Sequence, residues 1–337
     1  MATIKDVAKR AGVSMSTASY ALNGSEKVLE KTRKKVLKAA KELNYTPNYL
    51  ARGLKKNRND LIAFAVDEVF GPFYDYLLKG IQDSASIAGY NLVIFLENGG
   101  GKTHVGNFLK EHRVDGVILM SARIPESEIR DIHGLNIPMV LLNRKLEGED
   151  ISTVVIDNRK GAMLAVQHLF GLGHRKIGFI RGPDDSYDAR ERHAGFLDAL
   201  QHFGLAPDAT SMLQGDFTEL SGYEAMKKSL ERPGEKPTAF FSSNDEMLLG
   251  ALGALREKGV RVPCDMSLVG FDDIKELKYI HPAITSIRRP MYELGSHTAH
   301  MLLNMIKRNV GTGHVQLDVR LVVRSSTAPV ASGRESA

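Results

Sequence analysis

The chain of 337 residues carries 45 Lys plus Arg against 40 Asp plus Glu, is 43% hydrophobic and contains one cysteine, Cys264. That length points to two or three folded units, and a lone thiol excludes an internal disulfide framework or a thiolate zinc site within the chain. The net charge of +5 is unevenly placed: residues 1–60 hold ten Lys and four Arg against five carboxylates, +9, while the remainder comes to −4. Such an asymmetry implies a small polyanion-binding head on a near-neutral body.

Met1-Ala2-Thr3-Ile4-Lys5-Asp6 lacks the apolar stretch of a secretory signal, and runs such as Met139 to Leu142 are too short to span a bilayer. A cytoplasmic protein without membrane attachment is expected. In the head, Ile4, Val7, Ala8 and Ala11 share one face of a short helix ended by Gly12. Ser14 caps a second helix, Met15 to Leu22, with Ala18 and Leu22 pointing inward and Asn23-Gly24 stopping it. A third, about Leu29 to Leu43, gathers Val36, Ala39, Ala40 and Leu43 on one side and a row of lysines and arginines on the other.

Two helices across a tight Gly-containing turn read as a helix-turn-helix, whose second member can lie in the DNA major groove. An ordinary helical hairpin is the competing reading; the charge asymmetry and turn spacing disfavour it. With Ala18 and Leu22 inward, Met15, Ser16, Ser19 and Tyr20 are the candidate base readers, and Thr3, Ser14, Thr17 and Asn23 complete the candidate DNA-contacting set of the head. None of the readers offers the forked donor that Arg gives guanine, so part of the specificity is expected to come from DNA shape.

Thr3-Ile4-Lys5-Asp6-Val7-Ala8, Ala11-Gly12-Val13-Ser14, Leu22-Asn23-Gly24 and Leu43-Asn44-Tyr45-Thr46-Pro47-Asn48 resemble the DNA-binding head of the lactose-repressor/galactose-repressor family of bacterial transcription regulators. Ala18-Ser19-Tyr20-Ala21 stands where the family more often has Val-Ser-Arg-Val, so the usual operator sequence is not expected. The next segment, Asn48 to Lys56, places Ala51 and Leu54 one turn apart beside Arg52, Lys55 and Lys56. The resemblance implies a hinge helix that orders on DNA and inserts Leu54 into the minor groove, flanked by contacts from Arg52 and Lys55. An apolar wedge of this kind unstacks one base step and recovers the cost through bending and added phosphate contacts.

From Leu61 onward, short apolar runs alternate with helical patterns: Leu61 to Val66, Leu92 to Leu96, Gly116 to Met120, Met139 to Leu142, Val154 to Ile156, Lys176 to Ile180, Ala239 to Ser242 and Leu268 to Phe271. Buried parallel strands read this way, so the body is expected to be two doubly wound α/β lobes. Asp157-Asn158, the run from Leu172 to Gly178, Ser243-Asn244-Asp245, Val269 to Asp273 and Thr285 to Arg288 extend the resemblance and imply a periplasmic-binding-protein-like body with three crossings between lobes. The expected partition is a helix-turn-helix domain at 1–46, a hinge at 47–60, a first lobe of 61–157 with 289–320, a second of 158–288 with 321–328, and a loose tail at 329–337. The crossings are expected near Asp157, Ile287 and Leu321.

Ligands of open α/β sheets sit at the carboxyl ends of the strands. The family match there implies Phe73, Asn143, Arg144, Asp188, Arg192, Phe217, Asn244 and Asp272 as the effector-binding set. Their rings and hydrogen-bonding groups suit a sugar, sugar phosphate, nucleobase or nucleoside. No cofactor is expected: Gly99-Gly100-Gly101-Lys102-Thr103 would need a glycine at position 96 to make a phosphate-binding loop, and Leu96 stands there. The eleven histidines show no zinc-protease spacing, and no nucleophile elbow is found, so neither a metal nor a catalytic residue is assigned. A dimeric, effector-controlled repressor of a pseudo-palindromic operator is the leading function. A transport-type sugar-binding protein, which has no use for the basic head, and a sugar-modifying enzyme on the same body are the alternatives.

Overall fold

The computed structural model describes residues 2–45, 58–97, 103–208, 211–308 and 311–330. The chain divides into two compact units, Met1–Asn59 and Asp60–Ala337. The expected hinge helix, with Arg52, Leu54 and Lys55, lies outside the described residues, as do Gly99 to Lys102 and the chain from 331 on.

The first unit holds α1 (Ile4–Ala11), α2 (Met15–Leu22) and α3 (Glu30–Glu42). Each boundary has a local cause. Thr3 and Asp6 form a reciprocal capping box, the Thr3 amide donating to Asp6 Oδ2 at 2.9 Å and the Asp6 amide to Thr3 Oγ1 at 3.4 Å. Gly12 ends α1 at φ 66°, the left-handed region where a side chain is disfavoured. Ser14 Oγ accepts the Thr17 amide at 3.1 Å and so starts α2. Val7, Ala8, Ala18, Ala21, Val28, Val36, Ala39 and Ala40 form the buried core. The inward pair of α2 is thus Ala18 and Ala21, with Leu22 only half-buried at its edge. Arg33 donates to the carbonyls of Gly24 and Ser25, at 3.2 and 2.8 Å, and fastens the turn after α2 to α3. Thr3→Ala is expected to cost about 1 kcal/mol, the usual value of an N-cap, and to lower the first thermal transition of the full-length protein in calorimetry.

Among the described residues, the second unit contains two six-stranded sheets. The first is built from β1 (Leu61–Val66), β2 (Asn91–Leu96), β3 (Gly116–Leu119), β4 (Met139–Leu142), β5 (Ser152–Ile156) and β11 (His314–Leu317), in the order β11-β5-β4-β3-β1-β2. The second is built from β6 (Ile177–Arg181), β7 (Met212–Gln214), β8 (Ala239–Ser242), β9 (Ser267–Asp272), β10 (Thr285–Arg288) and β12 (Arg320–Val322), in the order β12-β10-β9-β8-β6-β7. All pairings are parallel except that of β10 with β12. Parallel strands need helical crossovers, supplied by α4 (Pro72–Ile87), α5 (His104–Lys110) and α6 (Glu126–His133) around the first sheet and by α8 (Tyr187–His202), α9 (Glu219–Glu231) and α10 (Asp245–Glu257) around the second. In chain order α7 (Asn158–Gly171) follows β5 and packs on the second sheet, and α11 (Met291–Arg308) follows β10 and packs on the first. No helix among the described residues is long and apolar enough to cross a membrane.

The chain passes from one sheet to the other after β5, after β10 and between β11 and β12. The last passage falls at Asp318-Val319, before the position near Leu321 expected from the sequence, because Arg320 already pairs with Arg288 of β10. Residues 329 and 330, assigned to the loose tail from the sequence, are placed in the structure. The Val330 amide donates to the Leu172 carbonyl at 3.0 Å, and the Ala328 carbonyl lies 3.1 Å from His174 Nε2. These bonds hold 328–330 against the second lobe. In the first lobe, α4 and α11 touch backbone to backbone: a Cβ at Gly80 would strike the Tyr292 carbonyl, and one at Gly295 the Leu77 carbonyl.

Candidate nucleic-acid interface and ligand cleft

On α2, Met15, Ser16 and Tyr20 are exposed and Ser19 is half-buried beside them. The remaining expected contacts of the head have structural tasks as well. Thr3 and Ser14 cap their helices, Thr17 Oγ1 lies 2.8 Å from Ser14 Oγ, and Asn23 Nδ2 donates to Ser19 Oγ at 3.4 Å. The first turn of α2 carries no acidic side chain, so its amide edge keeps the positive end of the helix dipole for an anion. Lys31, Lys34, Lys35, Lys38 and Lys41 of α3 all face solvent. The unit therefore combines an outward polar helix face with a cationic flank, which is what groove reading and phosphate contact require.

In the body, the carboxyl ends of the second sheet converge on a buried ionic cluster. Arg192 is 1% exposed. Its Nε donates to Asn158 Oδ1 at 2.8 Å, its Nη1 to the Ser243 carbonyl, and its Nη2 to Asp188 Oδ2 at 3.4 Å. Asp272 Oδ1 lies 3.8 Å from Nη2, and the guanidinium carbon sits 3.8 Å from the centroid of the Phe271 ring. That ring packs tilted against Phe241, which stacks on Phe179 and through it Phe196, so the aromatic core of the lobe backs the guanidinium. Asn158 Nδ2 donates to Asp188 Oδ1 at 2.8 Å and closes the ring of contacts.

Burial dominates the protonation of this cluster. It pulls the Arg192 guanidinium down to about 10, against the opposing pull of Asp272 and Asp188, which still leaves it charged at neutral pH. Burial raises Asp272, while the Arg192 and Arg289 guanidiniums act to lower it. Asp245, behind the cluster, is raised well above the ordinary carboxylate range by burial and then by Asp272; it accepts from Ser286 Oγ at 2.8 Å and the Ile274 amide at 3.1 Å.

Phe73, Asp188, Arg192 and Asp272 are brought together through one further side chain, Arg289, whose Nη1 and Nη2 donate to Asp272 Oδ1 and Asp188 Oδ2 at 3.0 and 3.3 Å. Its guanidinium carbon is 4.7 Å from the Phe73 ring centroid. Asn244 caps α10 through the Met247 amide at 3.0 Å and donates to the Phe217 carbonyl at 2.8 Å, while Phe217 faces Arg192 at 6.0 Å. Arg144 is not brought to the cluster: it donates to the Ser121 and Ile124 carbonyls of its own lobe at 2.7 and 2.8 Å. Asn143 is 8% exposed, and among the described residues neither its Oδ1 nor its Nδ2 has a hydrogen-bond partner. Asn143, Phe217, Asp272 and Asp273 all have positive φ, 51°, 74°, 117° and 56°. Such strain costs about 1–3 kcal/mol per residue and collects where a site holds side chains in place. A cavity of about 610 Å³, with Phe73, Asp272, Arg289, Lys275, Tyr292 and Arg324 in its wall, opens onto the cluster from the crossing side.

Thr103 is the N-cap of α5, accepting the Gly106 amide at 3.2 Å, and its hydroxyl donates to Glu128. Glu97 accepts the next two amides, His104 and Val105, at 3.1 and 2.9 Å. A carboxylate of the chain thus already fills the anion position that a phosphate-binding loop would offer.

Residues 3–48 match the bacterial regulatory proteins of the lacI family, and residues 166–327 match the periplasmic binding protein-like domain. The chain is 36% identical over 331 residues to the HTH-type transcriptional repressor CytR of Escherichia coli (strain K12), covering 97% of this chain and 96% of that protein. The chain belongs to the LacI family of bacterial regulatory proteins. Its fold is similar to the lac repressor dimer bound to operator and the anti-inducer ONPF, with TM-score 0.86 and 30% identity over 97% of this chain and 99% of that one. It is also similar to the complex of the transcriptional regulator CelR with cellobiose, with TM-score 0.74 and 34% identity over 97% and 100% of the two chains.

This LacI-family chain is a DNA-binding transcriptional regulator with a periplasmic-binding-protein-like body. Sequence reasoning missed three groups of its cleft cluster: Asn158, the Ser243 carbonyl and Arg289. Asn158 and Ser243 lie in quoted family stretches, Asp157-Asn158 and Ser243-Asn244-Asp245, so position was legible and role was not. For Arg289 the signal was an arginine pair followed by Pro290 at a strand end, where one of two successive side chains has to turn inward.

Proposed function

We propose that this LacI-family regulator is a cytoplasmic, homodimeric repressor of a pseudo-palindromic operator, controlled by a small ligand at the Arg192 cluster. The ligand is a sugar, sugar phosphate, nucleobase or nucleoside. Met15, Ser16, Ser19 and Tyr20 read base edges; Thr3, Ser14, Thr17 and Asn23 position the helix on the backbone; Leu54, with Arg52 and Lys55, wedges the minor groove. Asp188, Arg192, Phe217, Asn244 and Asp272 hold the ligand, with Phe73, Asn143 and Arg144 at the opposing lobe. The protein acts without cofactor or metal and catalyses no reaction. One observation carries the reading: an outward helix face beside exposed lysines and a strained, buried polar cleft occur in the same chain.

Two twofold-related heads require inverted half-sites. Selection from random duplexes with the full-length protein is expected to enrich a paired inverted repeat; recovery of unrelated sequences would remove the operator reading. With several lysines at phosphates, affinity for the selected duplex is expected to fall on the order of 10³-fold between 50 and 200 mM salt. A flat salt profile in fluorescence anisotropy would contradict the phosphate contacts.

A further inference from the structure

Arg289 sits in the cleft as a ligand would. It is 4% exposed, lies between Asp272 and Asp188, rests near the Phe73 ring and borders the cavity of about 610 Å³. Its Nε has no hydrogen-bond acceptor among the described residues. Arg192 differs: it is tied to Asn158 and to the backbone of Ser243, fixed groups of its own lobe. Arg289 instead enters from the passage between β10 and α11, and its two bonded partners are both carboxylates.

We infer that Arg289 is a built-in occupant of the ligand seat, and that a ligand binds by displacing its guanidinium and presenting its own row of N–H or O–H donors to Asp188 and Asp272. This rests on the cleft being the ligand site. Carboxylate oxygens accept hydrogen bonds, so a replacement without donors would leave Asp188 and Asp272 with the longer Arg192 contacts, at 3.4 and 3.8 Å, and nothing in place of the Arg289 fork. The seat therefore selects donor-rich rings, polyols or bases with amino groups, and Arg289 sets the threshold they must exceed. If the guanidinium leaves the seat in about a tenth of molecules, the apparent affinity is about tenfold below the intrinsic one.

The test uses full-length wild type, Arg289→Ala and Arg289→Gln. Ethylguanidinium chloride, which reproduces the missing fork, is expected to raise the Tm of Arg289→Ala saturably by mass action. Ethylammonium is expected to do so far less, and wild type not at all. Ribose, cellobiose and adenosine are titrated in parallel, and any that bind are expected to bind Arg289→Gln about tenfold more tightly than wild type. Absence of saturable stabilisation of Arg289→Ala by ethylguanidinium overturns the seat. Weaker sugar or nucleoside binding by Arg289→Gln also overturns the inference, because it makes Arg289 a direct ligand contact. Should Arg289→Ala not fold, the Arg289→Gln titrations with these compounds and with ethylguanidinium decide the matter. Duplex selection by the wild type is scored separately, so failure of the regulator reading is distinguishable from failure of the seat.

Discussion

Arg192→Ala is expected to abolish ligand control of DNA binding while DNA binding itself survives. The substitution strips donors from Asn158 Oδ1, the Ser243 carbonyl and Asp188 Oδ2, and leaves Asp188 and Asp272 with one guanidinium between them. Breaking a buried ion pair from one side costs about 3–5 kcal/mol, far more than an exposed pair such as Arg10 with Glu42. Arg192→Lys is not expected to rescue the response, because a point charge cannot reach three acceptors arranged around a planar fork. Denaturant unfolding measures the stability loss, and operator titration with and without ligand measures the response. Since the head is a separate compact unit, the variant should retain operator affinity within a few-fold. A ligand response of wild-type size would show that the cleft cluster is not the ligand site.

Ala18→Asp is expected to have the opposite profile. Ala18 has no exposed surface and is surrounded by Val7, Ala8, Ala21 and Val36 in a core built almost entirely from alanine and valine. A carboxylate there has no cationic partner in that core, and burying it costs several kcal/mol. A unit of this size has little stability to lose, so the head is expected to unfold. Operator affinity should drop by at least about 100-fold, a loss of roughly 2.8 kcal/mol or more. Ligand binding and the melting of the body should stay as in wild type. Retention of operator binding would mean that α2 is not the reading helix.

The head was legible because its determinants are local. Caps at Thr3 and Ser14, the glycine after α1 and the spacing of apolar residues all act within one or two turns. Even there, the choice of Ala21 over Leu22 as the second inward residue depended on how α3 packs, which spacing within α2 does not encode. The central strands of the body were legible as continuous apolar runs. The strands β7, β11 and β12 were not, since they are short and partly exposed, at or near sheet edges, and carry no such run. For β10 the reason differs: Thr285 and Ser286 are fully buried, with their polar groups hydrogen-bonded to Ser326, Asp245 and their neighbours, so a buried strand looks polar in sequence. The cleft shows the same divide. The family resemblance marked Asp188, Arg192 and Asp272, but the inward turn of Arg289 and the pairing of Arg144 with its own lobe follow from tertiary packing.

Operator affinity measured across a titration of a ligand identified by thermal shift tests the central claim most directly. Effector and operator binding must be coupled by the same factor in both directions. The expected result is a change in operator Kd on the order of 10-fold or more, matched by an equal change in ligand Kd when operator is present. An operator Kd that stays constant while the cleft fills would contradict the account.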